Sequence, residues 1–241
     1  MSAIDKIYME RPEYGKRRMS IRLREQGLDV GVELARTLMK QMGLEAIGPK
    51  PNLSKPHPNH KIYPYGLRGM TIVKANQAWS TDITYVPMRN GFLYLTAVID
   101  WYSRYILAWK LSNSLDGLFC REVLQEALNK FGKPEWFNTD QGTQYTCVEF
   151  IHILEGAGIR ISMDGRGRAL DNVWIERFWR TIKYEEVYPK AYADGLSAVQ
   201  SLGMYFPYYN CKRPHSALGN ATPEQIYRGA VNARQKPVVI H

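Results

Sequence analysis

The dipeptide Asn90-Gly91 sits between two runs of aromatic and β-branched residues, and no other feature restricts the fold as much. Asn-Gly supplies the positive φ angles of a tight hairpin turn, so residues 79–86 and 92–99 read as antiparallel strands closed by Arg89-Asn90-Gly91. A third run of the same texture at 105–111 extends them into a three-stranded meander. The pattern then changes. Helical spacing over 115–131 ends at Gly132, and short strands at 135–138 and 158–161 enclose a helix at 146–156. Past Gly165-Arg166-Gly167-Arg168, a long helix is expected from Asp171 to Tyr184. Three hairpin strands followed by alternating strand and helix predict an α/β domain with a mixed sheet flanked by helices.

Different textures flank this region. Residues 1–47 carry apolar side chains at helical spacing and read as short helices. Two of them, joined at Gly27-Leu28-Asp29, resemble a helix-turn-helix, with Arg17 and Arg18 on the first and Arg36 and Lys40 on the second. A solvated helical hairpin fits the same pattern. Residues 48–78 read as a basic linker, because Pro49, Pro51, Pro56, Pro58 and Pro64 prevent regular helix and five Lys and Arg keep it wet. His57 and His60 have a metal-like spacing but no cysteine pair or carboxylate beside them. Residues 191–241 read as a helical extension, in which Thr222-Pro223-Glu224-Gln225 forms a capping box.

Charge supports this division into 1–47, 48–78, 79–190 and 191–241. The chain carries a net charge of +9, but residues 79–190 hold 13 basic and 14 acidic groups, so the surplus lies in the flanks. Such a layout suits a core that uses carboxylates for chemistry and flanks that hold a phosphate backbone. No apolar run reaches the roughly 20 residues of a membrane helix, and the first twenty residues carry charges throughout. Three scattered cysteines fit a reducing compartment. A cytoplasmic protein without a membrane partner is expected.

Three acids are the candidates for chemistry. Asp82 lies inside the first strand, where a carboxylate must be solvated, paired or metal-bound. Asp140 follows a short strand, at the end where α/β sites form. Glu176 lies on the late helix, with Arg180 and Lys183 at i+4 and i+7 on its face. Taken singly, each reads more simply as a surface charge or cap. Asp100 and Asp164 are read that way, and Asp171 as the N-cap of the helix carrying Glu176.

Taken together, 57 residues separate Asp82 from Asp140 and 35 separate Asp140 from Glu176. Two Asp and a Glu at that spacing, with Lys183 seven residues past the Glu, resemble the catalytic core of DDE transposases and retroviral-type integrases. The surrounding words agree: Trp79-Ser80-Thr81-Asp82-Ile83-Thr84-Tyr85, Asp100-Trp101-Tyr102-Ser103-Arg104, Asn138-Thr139-Asp140-Gln141-Gly142 and Asp171-Asn172. Tyr14-Gly15-Lys16-Arg17-Arg18 and the tail words Tyr209-Asn210, Arg213-Pro214-His215 and Thr222-Pro223 resemble one group, the bacterial insertion sequences whose transposase is made from two overlapping reading frames. With no heptad zipper, the chain resembles the second-frame product, with a shortened N-terminus as one possibility.

The resemblance implies a ribonuclease-H-like five-stranded sheet and a polynucleotidyl transferase that cleaves DNA ends and joins them to a target. It implies two Mg²⁺ ions, with Mn²⁺ as a substitute, held by Asp82, Asp140 and Glu176. Lys183 and Arg180 would face the DNA backbone; by its own residues, Gly165-Arg166-Gly167-Arg168 reads as a mobile loop whose Arg166 and Arg168 seek phosphate, or as an ordinary strand-to-helix connection. The partners that the resemblance implies are double-stranded DNA (element ends and target), further copies of the chain, and the first-frame product or a frameshift fusion with it. The implied location is the bacterial nucleoid. Two other readings stay open: a ribonuclease-H-like nuclease without strand transfer, and a DNA-binding regulator whose triad is idle.

Overall fold

A computed structural model describes residues 2–11, 13–42, 44, 61–89, 91–165, 169–230 and 238–240. Two compact units divide it, Met1–Lys55 and Pro56–His241. In the first, α1 (Ser2–Glu10), α2 (Lys16–Glu25) and α3 (Val32–Gln41) bury Ile4, Ile7, Met19, Leu23 and Met39 together. The turn after α2 uses Gly27 at φ +79°, a left-handed conformation that suits glycine. Ser20 Oγ donates to the Val30 carbonyl at 2.7 Å and ties α2 to the segment leading into α3. Arg17, Arg18, Arg36 and Lys40 are all exposed on these two helices.

The second unit opens with β1 (Thr71–Ile72), which pairs antiparallel with β7 (Val238–Val239) near the end of the chain. The meander follows as β2 (Ala78–Pro87), β3 (Phe92–Asp100) and β4 (Ile106–Ser112). Asn90 lies outside the described residues; Gly91 has φ +85°, and its carbonyl accepts the Met88 N–H at 3.0 Å across the turn. Next come α4 (Gly117–Phe131), β5 (Trp136–Thr139), α5 (Thr143–Thr146), α6 (Val148–Gly156) and β6 (Arg160–Met163). The chain continues through α7 (Val173–Ile182), a π-helical turn (Lys183–Val187), α8 (Tyr188–Lys190), α9 (Gly195–Cys211) and α10 (Pro223–Tyr227). Thr222 and Gln225 form the capping box expected before α10.

The five main strands lie in the order β4-β3-β2-β5-β6, antiparallel within the meander and parallel from β2 through β6. This is the mixed sheet expected from the sequence. Period-two alternation sends Leu95, Ala97 and Ile99 of β3 into one core with α7 and α9, and Val98 into the other with α4 and α6. Both faces of the sheet are therefore covered. Among the described residues no helix is long and apolar enough to cross a membrane.

Two expectations need correction. Residues 61–77 are not a free wet linker: Leu67 and Ile72 are buried in the core, and Gly66 lies so close to the Trp136 ring that a Cβ there would sit 2.4 Å from it. The prolines stop helix but do not prevent packing, and the apolar residues between them dock. The helical extension expected over 191–241 is present as α9 and α10, and Leu202, Tyr205, Phe206 and Tyr209 of α9 share the core of the sheet. Asn210 closes that contact, donating to and accepting from the backbone of Ile106 on the edge strand, both at 2.9 Å. Asp171 is not the N-cap of α7. A 3₁₀ turn (Ala169–Asn172) delays the helix to Val173, and Asp171 instead accepts the Gly165 N–H at 3.0 Å.

Candidate active site

Strand register brings two of the acids together. β2 and β5 run parallel with Ser80 opposite Asn138, so Asp82 and Asp140, each two residues further on, leave neighbouring strands at the same level. Adjacent strands stand about 4.8 Å apart. Asp140 lies just past its strand and accepts the Gly142 N–H on Oδ1 at 2.8 Å. A Cβ at Gly142 would fall 2.8 Å from that same oxygen, so glycine is what leaves the carboxylate in place.

The third acid arrives on α7, which is tied to β2 at two points. Asn172 Nδ2 donates to the Thr81 carbonyl at 3.3 Å at the start of the helix. Trp179 Nε1 donates to Asp82 Oδ2 at 2.9 Å one turn after Glu176. The strongly two-sided pattern of α7 drives this docking: Ile175, Phe178, Trp179 and Ile182 are buried, while Glu176, Arg177 and Arg180 are exposed. Glu176, Arg180 and Lys183 recur at the spacing of one helical stripe, as the sequence predicts.

Burial pushes the Asp82 carboxyl up to about 6, opposed by the Trp179 and Ile83 N–H groups and reinforced by the negative charges of Asp140 and Glu176. Asp140 is also raised, because desolvation outweighs the Gly142 hydrogen bond, and partial desolvation raises Glu176. Asp164 joins this acidic region. Burial takes it up to about 7, against the hydrogen bond from Asn138 Nδ2 at 2.7 Å and with the charges of Asp171, Asp140 and Asp82. The negative charges of Asp140 and Glu176 thus bear on Asp82, and none of these carboxyl groups has an ion pair among the described residues. Hard oxygen donors of this kind fit a divalent metal such as Mg²⁺. Among the described residues no three His, Cys, Asp or Glu side chains are gathered closely enough to hold a metal ion between them as they stand.

The other sequence candidates distribute as follows. Lys183 opens the π-helical turn, a feature that often marks functional sites. Arg166 and Arg168 lie outside the described residues, as do His57 and His60. Asp100, read as a surface charge or cap, is fully buried instead: it accepts from the Asn76 N–H, the Ser103 N–H and Ser103 Oγ at 2.6–2.8 Å and shapes the turn into β4. Sequence reasoning missed Trp179, Gly142 and Asp164. Gly142 stood beside Asp140 as a signal, whereas Trp179 read only as core.

Comparison with known proteins resolves the family. Residues 73–169 and 157–223 match models of the Integrase core domain, and residues 1–52 match an HTH-like domain. The transposase for insertion sequence element IS904 of Lactococcus lactis is 30% identical over 226 residues, covering 88% of this chain and 87% of that protein. The chain belongs to the insertion-sequence transposases. The putative transposase InsK for insertion sequence element IS150 of Escherichia coli is likewise 30% identical, over 91% of this transposase and 80% of its own length. Among solved structures, the HTLV-2 integrase catalytic core domain in complex with magnesium aligns with a TM-score of 0.55 at 19% identity, over 66% of this chain and 99% of that one. A simian T-cell lymphotropic virus intasome chain aligns with a TM-score of 0.58 at 16% identity, over 98% and 77%. These likenesses show the ribonuclease-H-like integrase fold.

Proposed function

We propose that this transposase performs divalent-metal-dependent cleavage of DNA ends and strand transfer, with Asp82, Asp140 and Glu176 as its catalytic carboxylates. One observation supports the assignment: β2, the end of β5 and α7 deliver three acids, and the charges of Asp140 and Glu176 act on Asp82 with no ion pair among the described residues to offset them. Asp82 and Asp140 would hold the metal from the sheet, and the exposed Glu176 side chain would close on it from α7. Bound there, one or two Mg²⁺ ions, or Mn²⁺, would supply Lewis-acid polarisation of the scissile phosphate and an activated attacking oxygen. Trp179 keeps the Asp82 carboxylate aimed, and the Gly142 N–H does the same for Asp140. Arg180 and Lys183, on the Glu176 stripe, would take the phosphates flanking the reacting bond, while Arg17, Arg18, Arg36 and Lys40 would grip DNA from the HTH-like unit. Joining requires two DNAs, which favours several copies of the chain acting together on nucleoid DNA in the cytoplasm. The first-frame product, alone or fused to this chain, is a further proposed partner.

The test is Glu176→Gln, which keeps shape but removes one negative charge. Mg²⁺-dependent cleavage and joining of a labelled duplex end should fall by orders of magnitude, while duplex affinity in Ca²⁺ stays level or tightens. Lys183→Ala should loosen the duplex instead. Full Mg²⁺-dependent joining by Glu176→Gln would falsify the assignment; cleavage without joined products from the unaltered chain would favour the simple nuclease.

A further inference from the structure

Away from Glu176 around α7, the second unit carries a cationic cavity that the carboxylate site does not use. It measures about 570 Å³ and opens between α7 and the turn after α9, with Arg104, Trp174, Arg177, Arg180, Arg213 and His215 in its walls. At about 100° per residue, Arg177 and Trp174 lie roughly 100° and 160° around the helix from Glu176, and Arg180 only about 40°. Arg180 therefore stands on the edge shared by the two faces.

Arg104 is the unusual member. It is only 5% exposed, its backbone is left-handed at φ +65°, and its guanidinium lies 3.4 Å from the centroid of the Trp174 ring. Arg177 lies over the same ring at 5.4 Å. The Asp100 carboxylate is occupied by Ser103 and the Asn76 N–H, and Arg104 has no direct ion pair among the described residues. Among the described residues its Nη1 is buried without a hydrogen-bond partner, and so are Trp174 Nε1 and His215 Nδ1. Glu185 offsets Arg213 through a two-pronged contact at 2.6–3.1 Å, while Arg177 and Arg180 have no carboxylate partner among the described residues. Burial, helped by the Arg177 charge, lowers Arg104 to about 10; burial with Arg104 and Arg213 lowers His215 to about 4, so the imidazole is neutral near pH 7. Arginines keep their charge, so a bound anion is the remaining way to balance this cluster.

We propose that this cavity is a phosphate-binding site, separate from the carboxylate triad, that holds a backbone phosphodiester of DNA. Planar guanidinium forks match non-bridging phosphate oxygens, and the unpaired Arg104 and Trp174 donors supply further hydrogen bonds. A DNA source is favoured over a free phosphate because Arg180 joins the cavity to the Glu176 stripe within one helical turn, about 5.4 Å of axis. A strand held at the triad would meet the cavity next. The inference rests on the reading that the chain binds DNA.

The experiment uses the full chain with Ca²⁺ and a duplex, from 50 to 200 mM salt. Arg177→Gln, at an exposed position that leaves the core intact, should weaken duplex affinity about tenfold and reduce the salt slope by about 1. Glu176→Gln in the same assay should keep its affinity, so loss of catalysis and loss of this phosphate contact give different results. In parallel, ¹⁵N-histidine spectra, with His215 assigned through His215→Asn, are followed during additions of duplex or sodium pyrophosphate. A His215 shift with duplex that Arg177→Gln weakens supports the proposal. A shift with pyrophosphate alone overturns the DNA source and assigns the cavity to a free phosphate compound. Unchanged affinity and slope in Arg177→Gln, with His215 unmoved by either addition, overturns the site.

Discussion

Replacing Asp82 with Asn should stabilise the metal-free protein while abolishing its activity, and the size of the gain follows from the site. Burial and the neighbouring acids raise the Asp82 carboxyl from 3.8 to about 6. Folding therefore strengthens proton binding, and the ionised form is penalised in the native state. Below pH 4 both folded and unfolded chains carry the proton, and the penalty vanishes. It grows as pH rises through 4 to 6 and levels off above, at about 2 pKa units or about 3 kcal/mol. Asn cannot ionise, yet its amide oxygen can still accept the Trp179 N–H.

Calorimetry of the full chain without divalent metal, at pH 4 and pH 8, reads this directly. At pH 8 the transition of the unit spanning Pro56–His241 should rise in Asp82→Asn by about 6–12 °C, from about 2–4 °C per kcal/mol for a domain of this size. At pH 4 the gain should nearly disappear. Added Mg²⁺ should raise Tm in the parent chain, since a ligand that binds only the folded state stabilises it, and should have little effect in the variant. Equal melting of the two proteins at pH 8, or a gain that persists at pH 4, would show that Asp82 carries no such penalty.

Three further outcomes test the supporting residues. Gly142→Ala should push Asp140 aside, because its Cβ would lie 2.8 Å from Oδ1, and lower Mg²⁺-dependent cleavage about tenfold or more with little change in Tm. Gly66→Ala should cost about 1–3 kcal/mol by urea melting through collision with Trp136; an unchanged midpoint would mean that residues 61–77 do not dock as described. Asn210→Leu should lose about 1–3 kcal/mol, since it leaves the Ile106 N–H and carbonyl unpaired in a buried edge contact.

The strands were the most legible part of the fold, because Asn90-Gly91 and the flanking period-two runs act locally. Helix ends were less so: Asp171 resembled a cap by identity, but the cap of α7 is decided by the 3₁₀ turn that Gly165 and Asp171 close. The docking of residues 61–77 was hidden for another reason. Proline and lysine content reports on local conformation and solvation, whereas Leu67 and Ile72 are placed by a sheet formed much later in the chain. The acids of the site could be recognised by spacing, but their environment could not. Trp179 reaches Asp82 across 97 residues, and no local pattern encodes a hydrogen bond between a strand and a helix so far apart.

The short words around the acids also acquire separate physical meanings. Asp100 and Ser103 build a turn, Asn210 caps an edge strand, Asn172 and Trp179 seat α7, and Asn138 holds Asp164. None of these needs DNA to explain it. Arg104, Arg177 and His215 are different, because packing alone leaves buried donors unpaired and guanidinium groups crowded. Leaving such groups unsatisfied costs folding free energy. A chain that tolerates this cost on one side of α7 and four desolvated acids on the other has its electrostatic strain concentrated around one helix. Opposite charges brought by one substrate and its cation would relieve both sides: phosphates at the arginines, metal at the carboxylates. The two faces should then be coupled, so that Arg177→Gln weakens the tightening of duplex binding that a divalent cation produces, beyond its effect in metal-free buffer. Additive effects of Arg177→Gln and of metal removal on duplex affinity would refute that coupling.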